Sequence, residues 1–150
     1  MIHFPVLRKI EIKDYQLYQN DQNEGITHSF DGGTHLIVGI NGLGKTTLLN
    51  IIYRLLVGPK DAAKGGNTTL GSSKHELINW KKKKFFSSRV KDNALNATVE
   101  GTVSFGNRKV VIKRKLSNLE VVALSVDGSE IDASQENYEE LIEDLSLIHI

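Results

Sequence analysis

The chain has 150 residues, 39 % hydrophobic and 25 % charged, with a net charge of +1 and no cysteine. That is the size and make-up of one ordinary soluble domain, and it excludes disulfide frameworks and thiolate metal sites. No apolar run approaches the roughly 18 residues of a membrane span, and the opening MIHFPVLRKIEIKDYQ lacks the order of a signal peptide, so a cytoplasmic chain without membrane contact is expected. The near-neutral total conceals segregation: residues 58 to 91 carry nine Lys or Arg against two acids, and residues 116 to 150 carry nine acids and no Lys or Arg. Such asymmetry reads either as a nucleic-acid-facing patch beside an acidic face or, more commonly, as two halves that complement one another.

Val6 to Tyr18 alternates as VLRKIEIKDYQLY, which predicts an opening strand. Asp21 to Gly25 reads as a polar turn, and Ile26 to Phe30 as a short second strand. Asp31-Gly32-Gly33 turns the chain into Thr34 to Gly39, an apolar strand with the pattern of a buried, central one. Lys45 to Val57, KTTLLNIIYRLLV, predicts a helix apolar around most of its circumference and therefore packed on more than one side. Gly58 and Pro59 supply its stop. Lys60 to Ser73 is glycine-rich and without period, so a loop is expected; Lys74 to Trp80 suits a short helix before a basic run. From Ala97 the pattern shortens to Thr98 to Phe105, Arg108 to Leu116 and Val121 to Val126, separated by Gly106-Asn107 and Ser117-Asn118 and closed by Asp127-Gly128. This predicts a three-stranded antiparallel meander. Ser134 followed by QENYEELIEDL predicts a capped helix with acids in its first turns.

Residues 39 to 47, GINGLGKTT, match GxxxxGK(S/T) and lie between the apolar strand and the helix. Glycines let the backbone wrap closely around an anion, and the helix N-terminus adds partial positive charge. The candidate nucleotide-binding residues are Gly39, Asn41, Gly42, Leu43, Gly44, Lys45, Thr46 and Thr47. Lys45 would reach the β- and γ-phosphates, the Thr46 hydroxyl would meet Mg, and Thr47 is placed for the α-phosphate. The five histidines show no metal-ligand spacing.

Together, LRKIEIKDYQLY, a polar turn and ITHSFDGGTHLIVGINGLGKTTLLNIIYRLL resemble the N-terminal segment of SMC, RecF and SbcC-like ATPases, the ABC-type ATPases of chromosome maintenance and DNA repair. Asp14-Tyr15, Phe30, Leu36 to Val38 and Asn41-Gly42-Leu43-Gly44-Lys45 carry the resemblance, which covers about the first 58 residues. Gln16 stands where the family often has a basic residue, and Thr46 where it more often has serine. The resemblance implies an α/β fold, a P-loop NTPase, here the N-terminal lobe of an ABC-type ATPase head with an antiparallel β-subdomain over residues 1 to 144. It also implies ATP, Mg and a second head as partners, in a parent that couples hydrolysis to head dimerisation. A phage-defence ATPase of the overcoming-lysogenisation type, or a nucleotide-gated scaffold with negligible turnover, are the alternatives. A small GTPase is disfavoured because no NKxD motif is present.

Hydrolysis in such a site needs a later glutamine, an LSGGQ-like signature and an apolar strand ending in Asp-Glu. None is visible, so no catalytic residue is expected in this chain. Glu139-Glu140 and Glu143-Asp144 sit on a polar helix, with Gln135 at its start. The terminal LSLIHI, residues 145 to 150, is also the translation of CTGTCTCTTATACACATC, a transposase-adaptor sequence of DNA library preparation. Native sequence is therefore expected to end near Asp144. Within WKKKKFF, Lys81, Lys82, Lys83 and Lys84, with Arg89 beyond, are candidates for DNA contact. The bland reading is a solvated face whose aromatics turn inward.

Overall fold

A computed structural model of the chain describes residues 4–19, 21–22, 25–40, 44–59, 86 and 93–146. The opening strand, β1 (Val6–Lys13), buries Ile10 and Ile12 and points Lys9, Glu11 and Lys13 the other way. It ends sooner than the alternation predicts. Asp14 takes φ 57, a left-handed geometry that aspartate tolerates, and a 3₁₀ turn follows over Gln16–Tyr18. The break turns Tyr15 into the core, where its ring meets Phe86 edge-on at 6.2 Å between centroids.

β2 (Ile26–Ser29) pairs antiparallel with β1, Ile12 opposite Ile26. The helix α1 (Lys45–Val57) has the bounds its sequence predicts. The meander is also as expected: β3 (Thr98–Phe105), β4 (Arg108–Lys115) and β5 (Val121–Val126), each pairing with the next. One more short strand, β6 (Ser129–Ile131), returns beyond Asp127-Gly128, both at positive φ as a two-residue hairpin turn requires. Three residues are too few to show alternation, so the sequence gives no sign of it. The six strands among the described residues form one antiparallel sheet in the order β2-β1-β3-β4-β5-β6. The join is β1 on β3, with Ile12 opposite Val99 and Ile10 opposite Gly101.

The inner face of this sheet is the core. Ile12, Val99, Val110 and Ile112 are fully buried there, together with Ile51 and Leu55 of α1. α1 packs tightly over Gly101, where a Cβ would lie 2.3 Å from Leu55 Cδ2. The helix is more one-sided than its sequence predicts: Thr47, Asn50, Ile51, Arg54 and Leu55 are buried, Leu48, Ile52 and Leu56 are half-buried, and Leu49 is 55 % exposed. The last helix, α2 (Gln135–Ser146), starts as expected, with Ser134 Oγ accepting the Asn137 amide at 3.0 Å and Glu136 in the first turn. Its Tyr138 is buried, and Leu141, Ile142 and Leu145 pack against the core.

One expected element is absent. Thr34 to Gly39, read as a buried central strand, has no strand pairing, and Leu36, Val38 and Ile40 are 83 %, 77 % and 75 % exposed. A strand apolar on both faces becomes buried only when other strands flank it and layers cover it. The six described strands belong to an antiparallel sheet and none pairs with it, so no parallel pair exists among the described residues.

Candidate nucleotide-binding site

α1 begins directly after Gly44, which takes φ 81. No side chain caps this end, and its first turn contains no acid. The amides of a first helical turn have no partners within the helix, and the dipole adds partial positive charge there. An anion is therefore favoured at this spot.

The lysine of the motif closes the loop. Lys45 Nζ donates to the carbonyls of Gly39 and Ile40, the latter at 2.9 Å, so the entry and exit of the loop meet at one ammonium. Thr46 is exposed beside it, whereas Thr47 faces inward and is 7 % exposed. The structure thus brings together Gly39, Gly44, Lys45 and Thr46, with Thr47 one step behind. Asn41, Gly42 and Leu43 lie outside the described residues. First-turn amides without a side-chain cap, a long flexible cation and an exposed hydroxyl fit a phosphate chain with its divalent ion.

The sequence reading missed the neighbour of this loop. Tyr18, on the 3₁₀ turn, donates its hydroxyl to the Gly44 carbonyl at 2.7 Å. Leu17 packs so closely that a Cβ on Gly44 would lie 2.6 Å from Leu17 Cδ2. A glycine is required at this position by both its φ and its surroundings.

At its other end α1 is anchored by buried polar groups. Gly58 stops it with φ 70 and ψ −146, a region open only to glycine, and donates its amide to the Arg54 carbonyl at 2.9 Å. Arg54 Nη1 donates to the Gly58 carbonyl. Arg114, fully buried on β4, donates Nε to Leu55 O at 2.9 Å and Nη1 to Leu119 O at 2.9 Å and to Gln135 Oε1 at 2.6 Å. Its guanidinium lies 4.9 Å from the centroid of the Tyr138 ring. Burial pulls the Arg114 pKa below its ordinary value, with Tyr138 and Glu139 opposing the change. Burial likewise raises the Tyr138 hydroxyl, which donates to Leu56 O at 2.8 Å. Gln135 also donates to Glu139 Oε1. This glutamine is thus engaged at the C-terminal end of the 13-residue helix, roughly 20 Å along its axis from Lys45.

A groove of 380 Å³ lies between β1, β2, α1 and the unpaired segment, lined by Ile10, Phe30, Leu36, Val38, Leu48 and Ile52 among others. His28 and His35, scattered in sequence, meet there edge-on at 5.5 Å, each also against Phe30. The described residues contain no group of three metal ligands and no helix long and apolar enough to cross a membrane. The candidate DNA contacts Lys81, Lys82, Lys83, Lys84 and Arg89 lie outside the described residues, as do the loop and short helix expected over residues 60 to 80. Phe86 of the basic run is buried against Tyr15, one aromatic turned inward as the bland reading has it.

A family model described as an AAA domain matches residues 9–149. Over 137 residues the chain is 27 % identical to the DNA replication and repair protein RecF of Limosilactobacillus reuteri, in both strain DSM 20016 and subsp. reuteri strain JCM 1112. The match covers 85 % of this chain and 30 % of each relative, so the chain spans about a third of the length of the curated relatives it matches. With the glycine-rich loop opening onto α1, these matches place the chain in the AAA-domain family, among the SMC, RecF and SbcC-like ATPases.

Proposed function

We propose that this chain holds Mg-ATP at residues 39 to 47, and that the longer protein it belongs to is an ATP hydrolase acting in DNA repair or chromosome maintenance. The observation that carries the reading is the contact of Lys45 with the Gly39 and Ile40 carbonyls at an uncapped helix N-terminus. Loop amides and Lys45 would hold the phosphates, with Gly42, Leu43 and Asn41 completing the loop, and the Thr46 hydroxyl would take Mg. The bound ion would neutralise charge on the transferred phosphoryl group.

Binding and cleavage are separate abilities. Gln135 and Glu139 are tied into the far end of α1, so neither is placed to orient water at Lys45. The chain alone is expected to bind nucleotide with negligible turnover, while the parent, cytoplasmic and paired head to head with a second copy, hydrolyses it. DNA contact through Lys81 to Lys84 and Arg89 belongs to the same proposal. The test is Lys45→Ala: calorimetric titration with Mg-ATP should show binding by the wild-type chain and at least a tenfold loss in the variant, roughly the loss of one charge-assisted contact. Equal affinity in both would overturn the reading.

A further inference from the structure

We propose that Tyr18 is a positioning residue for the phosphate-binding loop, setting the direction of the Lys45 amide through the Gly44 carbonyl; this rests on the nucleotide site proposed above. The Gly44 carbonyl accepts two donors, the Leu48 amide at 2.8 Å from within α1 and the Tyr18 hydroxyl at 2.7 Å from outside it. The C=O of Gly44 and the N–H of Lys45 share one planar trans peptide and point in opposite directions. Fixing the carbonyl therefore aims the amide away from the helix, toward the place where a phosphate oxygen would sit.

Tyr18 is itself held. Its amide donates to the Tyr15 carbonyl at 2.9 Å and its ring lies 5.5 Å from that of Tyr15, which is fully buried against Phe86. Leu17 fills the space a Gly44 Cβ would need. The 3₁₀ turn after β1 thus braces the loop through two adjacent side chains, one apolar and one polar. The helix bond alone would leave the peptide plane free to tilt, because Gly44 at φ 81 has no Cβ to restrict it.

The test is Tyr18→Phe, which keeps the ring and its packing and removes only the hydroxyl. Titrations in the presence of Mg compare ATP with inorganic tripolyphosphate on the 150-residue chain, with circular dichroism reporting that the variant is folded. The expected result is a weakening of about three- to tenfold, the range of one ordinary hydrogen bond, equal for both ligands. Gln19→Ala, at the end of the same turn, should leave both affinities unchanged. Unaltered binding in Tyr18→Phe overturns the proposal, as does a loss confined to ATP, which would put Tyr18 at the base instead. An equal loss in Gln19→Ala also overturns it, by assigning the effect to general loosening of the turn. If Lys45→Ala binds like wild type, the nucleotide reading itself fails; if Lys45→Ala loses binding and Tyr18→Phe does not, only the role of Tyr18 fails.

Discussion

At its C-terminal end α1 meets two buried arginines, a tyrosine hydroxyl and a glycine turn, whereas at its N-terminal end it meets one tyrosine hydroxyl and its own lysine. Both ends of a helix leave backbone groups without partners, carbonyls at one and amides at the other. Here the carbonyls are satisfied inside the protein: Leu55, Leu56 and Gly58 each accept from a side chain. The first-turn amides have no side-chain cap. Cations near the last turn also suit the dipole, as an anion would suit the first. One end therefore contributes stability and the other is left available to a ligand, so substitutions at the two ends should separate cleanly into effects on folding and effects on binding.

The largest effect is expected at Arg114. Arg114→Ala removes donors from Leu55 O, Leu119 O and Gln135 at once and leaves them buried, a loss of about 3–5 kcal/mol by comparison with other broken buried charge networks. Urea denaturation measures it. Lysine should not restore it, because a single ammonium cannot reproduce a planar fork with donors in several directions. The comparison breaks if Arg114→Ala leaves stability intact while weakening nucleotide binding.

Arg114 also shows where the sequence was legible and where it was not. Val110, Ile112, Arg114 and Leu116 share one parity, and all four are buried. That parity was the available signal for an inward arginine, but a charged residue among Lys113 and Lys115 reads as part of a solvated edge. Local chemistry was easier to read. The bounds of α1 follow from a glycine on either side, the Ser134 cap from its own side chain, and the meander from alternating strands punctuated by Gly106-Asn107 and Ser117-Asn118. Pairings distant in sequence were not legible: nothing in β1 names β3 as its neighbour. The apolar run Leu36 to Ile40 failed for a related reason. Its composition states a demand for burial and not the partner that meets it, and no described strand pairs with it. Asn50 makes a similar unmet demand, fully buried with neither side-chain polar atom bonded among the described residues. Within the loop, the motif gave Lys45 and Thr46, whereas Tyr18 could be found only once β1 was seen to break at Asp14.

A smaller loss is expected at the same anchored end from Tyr138→Phe, which deletes the bond to Leu56 O and should cost about 1 kcal/mol. Chemical denaturation should register it with nucleotide affinity unchanged. Acid provides a sharper control away from both ends of α1. The Asp127 carboxyl is held below its ordinary value chiefly by the Lys109 amide, and then by Arg108. A depressed carboxylate stabilises the fold above its unfolded pKa, and that contribution disappears as pH falls through the folded value. Asp127→Asn should therefore be less stable than wild type at pH 7, with the gap closing below the model-peptide value of about 4. A gap that persists unchanged at pH 2 would assign the effect to the turn rather than to the charge.

The smallest effect on the unliganded fold belongs to Lys45, the residue with the largest expected effect on binding. Its two bonds go to carbonyls of its own loop at an exposed position, and a surface substitution of this kind shifts stability by less than about 0.5 kcal/mol. Lys45→Ala should therefore melt with the wild type when no nucleotide is added. With Mg-ATP at a hundred times its dissociation constant, the wild type gains about 2.7 kcal/mol from binding the folded state, and its melting temperature rises. The variant should not follow. A variant that melts well below wild type without ligand would mean that Lys45 braces the loop as a structural bond, and the division between an anchored end and a binding end would then fail at the residue that defines it.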